Sequence, residues 1–357
     1  VDSSVSRPTS GENHLLAEIL EQPSVLRRLI EHYVAAQDPA LSDAANVIRR
    51  ADRTIFAGMV TSEYAGYSAS AYLGQHARAS NVFDASELLY YHLPALYQRG
   101  TCLVLVSQSG NSAEIVRLLD QVRGRVPIVG IYNDETSSLA QGCDIGLPIL
   151  AGPQLACGTK TNAASIAVLQ LLAEEVVDHT VQNAGSALSG AADAVSQFLE
   201  SWETIVTPVV DLLEPSTYTV FLGRGPGHAS AMFSAAVFRE VPKAVADGMS
   251  AAAFRHGMWE MIRPEHRAVI FAPDGPAINH LSALAKDLLR LRVPAVVVTG
   301  SCKGFEGSAV LQVPSVPERW SSLVDMVPLQ LTSYLLARRR GFEPGRLVIS
   351  SYVTRVE

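Results

Sequence analysis

The sequence predicts an α/β protein made of two tandem doubly wound parallel sheets, with an N-terminal helical arm before them and a C-terminal tail after. Three observations carry this. Short unbroken β-branched apolar runs alternate with helical patterns along the chain, which is how strands of a parallel sheet covered on both faces read. The two halves repeat each other's landmarks. A chain of 357 residues, 48% of them hydrophobic and 18% charged, exceeds one ordinary domain and suits two, each of roughly 150 residues with its own core.

In order, residues 1–45 read as a disordered start and a helical arm with Pro23 in its first turns. A first unit follows over 46–185, with strands at Thr54–Ala57, Leu103–Val106, Ile128–Ile131 and Ile145–Ile149. An Ala/Ser-rich amphipathic helix over 185–210 connects it to a second unit, so that linker and unit span 186–345. Strands there are expected at Thr219–Leu222, Ala268–Phe271, Ala295–Val298 and Val310–Val313, and 346–357 form the tail. The repeat pairs Ile55-Phe56-Ala57-Gly58 with Val220-Phe221-Leu222-Gly223, and Leu105–Gly110 with Ile270–Gly275. It also sets Ser86 and His92, six residues on, beside Ser250 and His256.

A net charge of −7 argues against nucleic acid or an anionic membrane as partner, so an anionic ligand needs a local site. The four cysteines are widely spaced, with no CxxC pair and no metal pattern, which points to a reduced, cytoplasmic protein without metal or cofactor. Val1–Glu12 has no apolar signal core, and no run approaches a membrane span.

The strongest chemical signal is Leu103-Val104-Leu105-Val106-Ser107-Gln108-Ser109-Gly110-Asn111-Ser112, a buried strand running through hydroxyls and glycine into a helix from Ala113. Free N–H groups and the positive helix end suit a phosphate, and the hydroxyls of Ser107, Ser109 and Ser112 add donors. Such a turn also arises where a serine merely caps a helix. Its place at the carboxyl end of a strand, where doubly wound sheets bind ligands, favours the phosphate. Thr61 and Ser62 follow the first strand at the same sheet edge. Gly158-Thr159-Lys160-Thr161 precedes another helix, Ala163–Glu174. Gly223-Arg224-Gly225-Pro226-Gly227 lacks the spacing and downstream acid of a dinucleotide fingerprint. Glu240 ends an amphipathic helix, where a carboxylate withdrawn from water can act as a base. His256 sits in a small-residue stretch, Ser250–Gly257. From spacing alone, a surface Glu and a core His explain these two equally well.

With these motifs in order, the chain from Glu12 to Glu357 resembles the isomerase half of glucosamine-6-phosphate synthase (glutamine–fructose-6-phosphate aminotransferase) and stand-alone double-SIS (sugar isomerase) proteins. The likeness rests on Glu18-Ile19-Leu20-Glu21-Gln22-Pro23, Val106–Gly110, Gly223-Arg224-Gly225 and Phe254-Arg255-His256-Gly257. It implies that Thr61, Ser62, Ser107, Gln108, Ser109 and Ser112 hold the phosphate of a phosphorylated sugar or amino sugar. It implies that Glu240 carries a proton between C1 and C2. His256 would open the ring, usually from the other subunit of a homodimer with shared active sites.

The departures matter as much. Gly158 stands where the family has a ligand-loop serine, Val237 replaces a helix lysine and Met258 a proline. In the tail, Tyr352 takes the place of the lysine that forms an imine with the ketose, leaving Lys160 as the lysine in a ligand loop. No glutaminase segment precedes the arm, so glutamine is not expected as ammonia source. Aldose–ketose isomerisation needs no imine and is the expected activity, with Tyr352 able to place a hydroxyl near C1 or C2. An amino-sugar-phosphate deaminase, or an ammonia-dependent synthase, is the first alternative and a non-catalytic phosphosugar-binding protein the second.

Overall fold

The computed structural model describes residues 13–349. Its first sheet contains β1 (Arg53–Gly58), β2 (Ser80–Asp84), β3 (Thr101–Val106), β4 (Ile128–Tyr132) and β5 (Ile145–Pro148), in spatial order β2-β1-β3-β4-β5. The second contains β6 (Thr219–Gly223), β7 (Ala246–Ser250), β8 (Arg267–Phe271), β9 (Ala295–Thr299) and β10 (Ala309–Gln312), in the order β7-β6-β8-β9-β10. Every pairing is parallel, and the two sheets have the same topology.

The eight apolar strands lie where the sequence puts them. The two others, β2 and β7, read Ser-Asn-Val-Phe-Asp and Ala-Asp-Gly-Met-Ser. Both lie at a sheet edge, are only partly buried and carry no apolar run, whereas β5 and β10 at the opposite edges do keep one. Their register also corrects the repeat. Gly58 lies opposite Asp84, and Gly223 opposite Ser250. Asp84 and Ser250 each cap the turn that follows, accepting from Ser86 N at 2.8 Å and from Ala252 N at 3.3 Å. The counterpart of His256, six residues past the cap, is therefore Tyr90 rather than His92.

The helices that matter are α1 (His14–Leu20), α2 (Gln22–Leu29), α3 (Pro39–Arg50), α4 (Thr61–Gln75), α5 (Ala113–Val122), α6 (Lys160–Asp178), α7 (Val181–Leu199), α8 (Trp202–Leu213), α9 (Pro226–Glu240), α10 (Ile278–Arg290) and α11 (Val327–Arg339). Pro23 sits in the first turn of α2, where its missing N–H costs nothing. The connector between units is two helices, α7 and α8, broken at Glu200–Ser201 rather than continuous over 185–210, and the expected unit boundary at 185/186 passes through α7. The expected disordered start and residues 350–357 of the tail lie outside the described residues.

α4 and α9 pack against each other between the sheets, and α6 packs on α4, α2 and α3. α6 is buried along almost its whole length. So is α9, from Pro226 to Phe238, which therefore is not the amphipathic surface helix its ending suggested. Each fully buried large apolar side chain in this layer contributes about 1.5–3 kcal/mol.

Gly58 and Gly223 make the close approach possible. A Cβ on Gly58 would stand 2.7 Å from Glu63 N, and one on Gly223 would overlap the Gly227 carbonyl. Both strands thus run directly into the helix that follows. No described helix is long and apolar enough to cross a membrane. Among the described residues, no group of three or more His, Cys, Asp or Glu side chains is arranged to hold a metal ion.

Candidate active site

A cavity of about 380 Å³ opens at the carboxyl ends of β1 and β3, the point where the strand order of the first sheet reverses. Its wall brings together Thr61 and Ser62 of α4, Ser107, Gln108, Ser109 and Ser112 of the β3–α5 turn, Gly158 before α6, and Glu240. Three helix N-termini, those of α4, α5 and α6, meet at this cavity, none of them with a side-chain capping bond. Glu240 comes from the second repeat, as the last residue of α9. The site is therefore shared between the repeats, which spacing along the chain does not reveal.

The Ser107–Ser112 turn is held by its own bonds. Ser107 Oγ accepts from Gly110 N at 3.1 Å, and Ser109 Oγ accepts from Asn111 N at 3.3 Å. Both hydroxyls keep their hydrogens to donate. Asn111 Oδ1 accepts from Ser138 N and Oγ at 3.0 and 2.9 Å, pinning the turn to the next loop. Gly110 has φ +62, and a Cβ on it would overlap the Ser137 side chain. Ser112 stands at the N-cap of α5 without a side-chain capping bond. The capping alternative is thus not what this turn uses its serine for.

Val60, at the N-cap of α4, has φ +50 and ψ −112. A β-branched residue there is strained by about 1–3 kcal/mol, and it lines the cavity. Asn162 of α6 donates to Thr61 O at 2.8 Å, fixing two of the three helix starts to each other.

The third wall, Gln154–Gly158, is organised from the arm. Glu18 of α1 is buried and accepts from Leu155 N (2.5 Å), Ala156 N (3.2 Å) and Gln154 Nε2 (2.9 Å). Gln154 also donates to Ala156 O and Cys157 O, and its Oε1 accepts from Thr161. Gln154, Ala156, Cys157 and Thr161 all line the cavity; Thr161 belongs to the Gly158–Thr161 turn already noted in the sequence, and the other three were not singled out there as site residues. The one signal that points to them is the Glu-x-x-Glu-Gln-Pro run of the arm. Its Glu21 pairs with Lys160 Nζ at 2.5 Å, and its Gln22 donates to Gln330 at 2.6 Å.

That ion pair answers where Lys160 goes. It is buried against Glu21 and is not part of the cavity wall. His256 is exposed in the turn after the short helix Ala251–Phe254, also away from the cavity of its own chain. Tyr352 lies outside the described residues. Burial raises the Glu240 carboxyl above its ordinary value of 4.5, against the opposing pull of Arg239 and Lys243. Burial, aided by the charges of Glu240 and Glu18, raises the Cys157 thiol as well, so that it stays protonated.

These features define an α/β protein with a hydroxyl-lined cavity at a switch point and a carboxylate in its wall. The family model described as "SIS domain" matches residues 47–175 and 212–338, and the chain belongs to this family. A glutamine–fructose-6-phosphate aminotransferase [isomerizing] of Zymomonas mobilis is 28% identical over 348 residues, covering 91% of this chain and 56% of the relative. This chain thus spans a little over half of that relative's length. The solved C-terminal domain of glucosamine-fructose-6-phosphate aminotransferase from Francisella tularensis superposes with a TM-score of 0.85 at 21% identity, covering 96% of this chain and 100% of that one. A tagatose-6-phosphate ketose/aldose isomerase from Escherichia coli gives 0.77 at 20% identity, over 96% and 99% of the two chains. At these identities the two solved structures speak for the fold alone.

Proposed function

We propose that the protein is a sugar-phosphate aldose–ketose isomerase, with Glu240 moving the proton between C1 and C2 and His256 opening the ring. The observation that carries this reading is Glu240, delivered by the second repeat into a cavity otherwise lined by hydroxyls and helix starts. The phosphate is bound by Thr61, Ser62, Ser107, Gln108, Ser109 and Ser112. Each charge-assisted bond contributes about 1.5–3 kcal/mol, so three or four suffice for micromolar to millimolar affinity. With the phosphate fixed, the open-chain sugar extends toward Glu240. Its carboxylate removes the C2 proton of an aldose, and the resulting enediol takes the proton back at C1. His256 is exposed and outside this cavity, so it acts on the site of a second copy in a homodimer.

The test is wash-in of deuterium at C2 of glucose 6-phosphate or glucosamine 6-phosphate in D2O. Glu240→Gln should lose it by about 10²–10⁴-fold with little change in binding. Exchange that survives Glu240→Gln would remove the base assignment. A base works once ionised, and this carboxyl is raised above its ordinary value. The rate should therefore climb with pH along a limb lying above pH 4.5, measured on kcat/KM.

A second reading, an amino-sugar-phosphate deaminase or ammonia-dependent synthase, is favoured by the 28% identity to an aminotransferase across 91% of the chain. Ammonia released from glucosamine 6-phosphate would establish it. The pairing of Lys160 with Glu21 counts against an imine from that lysine. Binding without proton exchange or turnover would leave a phosphosugar-binding protein.

A further inference from the structure

Lys243 lies three residues past Glu240, in the turn leaving α9. Its backbone is left-handed, φ +53, which a non-glycine residue adopts at a cost. Its Nζ donates to two carbonyls, Glu240 O at 2.5 Å and Arg346 O at 3.1 Å. The first bond satisfies one of the carbonyls that the end of α9 leaves without a helical partner. The second reaches the segment that leaves α11. That segment is fixed on its other side by Asn13, whose Nδ2 donates to Pro344 O at 3.0 Å. Gly345, φ +82, fits so closely between α1 and the third cavity wall that a Cβ would stand 3.0 Å from Leu15 Cβ and 3.1 Å from Ala156 Cβ. The next residue but one, Leu347, lines the cavity together with Glu240.

We propose that Lys243 is a positioning residue that ties the helix end bearing Glu240 to the segment that walls the cavity at Leu347. One ammonium group thereby sets the base and closes the wall beside it. The ammonium also favours the ionised form of Glu240, alongside Arg239. No other lysine has this place, since Lys160 is held by Glu21. The functional part of the inference rests on the reading of the cavity as a sugar-phosphate site.

The test compares Lys243→Met, Lys243→Arg and the unaltered full chain. Without ligand, Lys243→Met should speed amide hydrogen exchange over residues 344–349 by about tenfold, the loss of one net hydrogen bond, and Lys243→Arg should restore protection. With glucosamine 6-phosphate and fructose 6-phosphate in D2O, Lys243→Met should lower kcat/KM for proton exchange about tenfold, mostly through KM. Its acid limb should shift to higher pH, and Lys243→Arg should reverse both changes. Unchanged amide exchange over 344–349 in Lys243→Met overturns the proposal. So does a loosened segment with unaltered kcat/KM and pH limb. If the unaltered chain exchanges no proton from either sugar phosphate, the isomerase reading falls, and amide exchange alone then upholds or overturns the tie.

Discussion

The two switch points of this molecule share a topology and differ in what fills them. At the first, β1 and β3 end in Gly58 and in Ser107-Gln108-Ser109-Gly110, and the space between them is an open, hydroxyl-lined cavity. At the second, β6 and β8 end in Gly223 and in Pro273-Asp274-Gly275. There the Glu318 side chain lies where a Cβ of Gly275 would go, with its Oε1 3.8 Å from where a Cβ of Gly225 would stand. Burial raises that carboxyl above its ordinary value. The N-cap backbones match as well: Val60 has φ +50 and ψ −112, and Gly225 has φ +53 and ψ −131. A doubly wound sheet supplies helix starts at both places. Hydroxyls line the first and the Glu318 carboxylate fills the second, which is why the proposed phosphate site is placed at the first.

The largest effect that would sharpen this contrast is on binding. Ser109→Ala should weaken binding of glucosamine 6-phosphate by about 10–100-fold in titration calorimetry, the loss of one charge-assisted bond. Asp274→Ala, at the matching position of the second repeat, should change it by less than about twofold. Equal losses from both would erase the distinction between the switch points.

Next comes stability. Gly110→Ala forces a Cβ onto the Ser137 side chain at a positive φ, and should cost about 2–3 kcal/mol in urea unfolding. Gly275→Ala meets the far end of the flexible Glu318 side chain instead, and should cost under about 1 kcal/mol as that chain swings aside. The smallest effect is at the N-caps. Val60→Gly relieves strain but adds backbone entropy to the unfolded chain, so its stability should stay within about 1 kcal/mol of the parent. Gly225→Val adds that strain and removes the same entropy from the unfolded chain, and its Cβ meets nothing closer than Glu318 Oε1 at 3.8 Å, so it too should stay within about 1 kcal/mol of the parent. A large loss in Val60→Gly would mean that the valine is held by packing and not merely tolerated.

Buried strands announce themselves, because a parallel sheet covered on both faces needs continuous apolar runs. β1, β3 and β4, and their counterparts in the second repeat, were legible for that reason, and β5 and β10 by short apolar runs of their own. β2 and β7 were not, since Ser-Asn-Val-Phe-Asp and Ala-Asp-Gly-Met-Ser hold no apolar run, whereas β5 and β10 at the opposite edges keep short ones, and the Ser86–Ser250 alignment slipped by two residues as a result. The Ser107–Ser112 turn was legible as a local motif of strand, hydroxyls and helix. The Gln154–Cys157 wall was not, because Glu18 shapes it from 136 residues away in sequence, counted to Gln154. Nor could spacing say that Lys160 faces Glu21, or that Glu240 crosses from one repeat to the cavity of the other. Such placements belong to the packing of α4, α6 and α9, and tertiary contacts are written in no single segment.

The direction of those same helices has one more consequence. α4, α5 and α6 point their N-termini at the cavity, whereas α9 ends beside it at Glu240, so its C-terminus lies at the cavity's edge. Partial positive charge gathers on one side and partial negative charge, reinforced by a carboxylate, on the other. A ligand with one dianionic end and one uncharged end then has a preferred heading in the cleft before any hydroxyl is matched. On the proposed sugar-phosphate reading, the three helix starts take the phosphate and the uncharged end of the sugar faces Glu240.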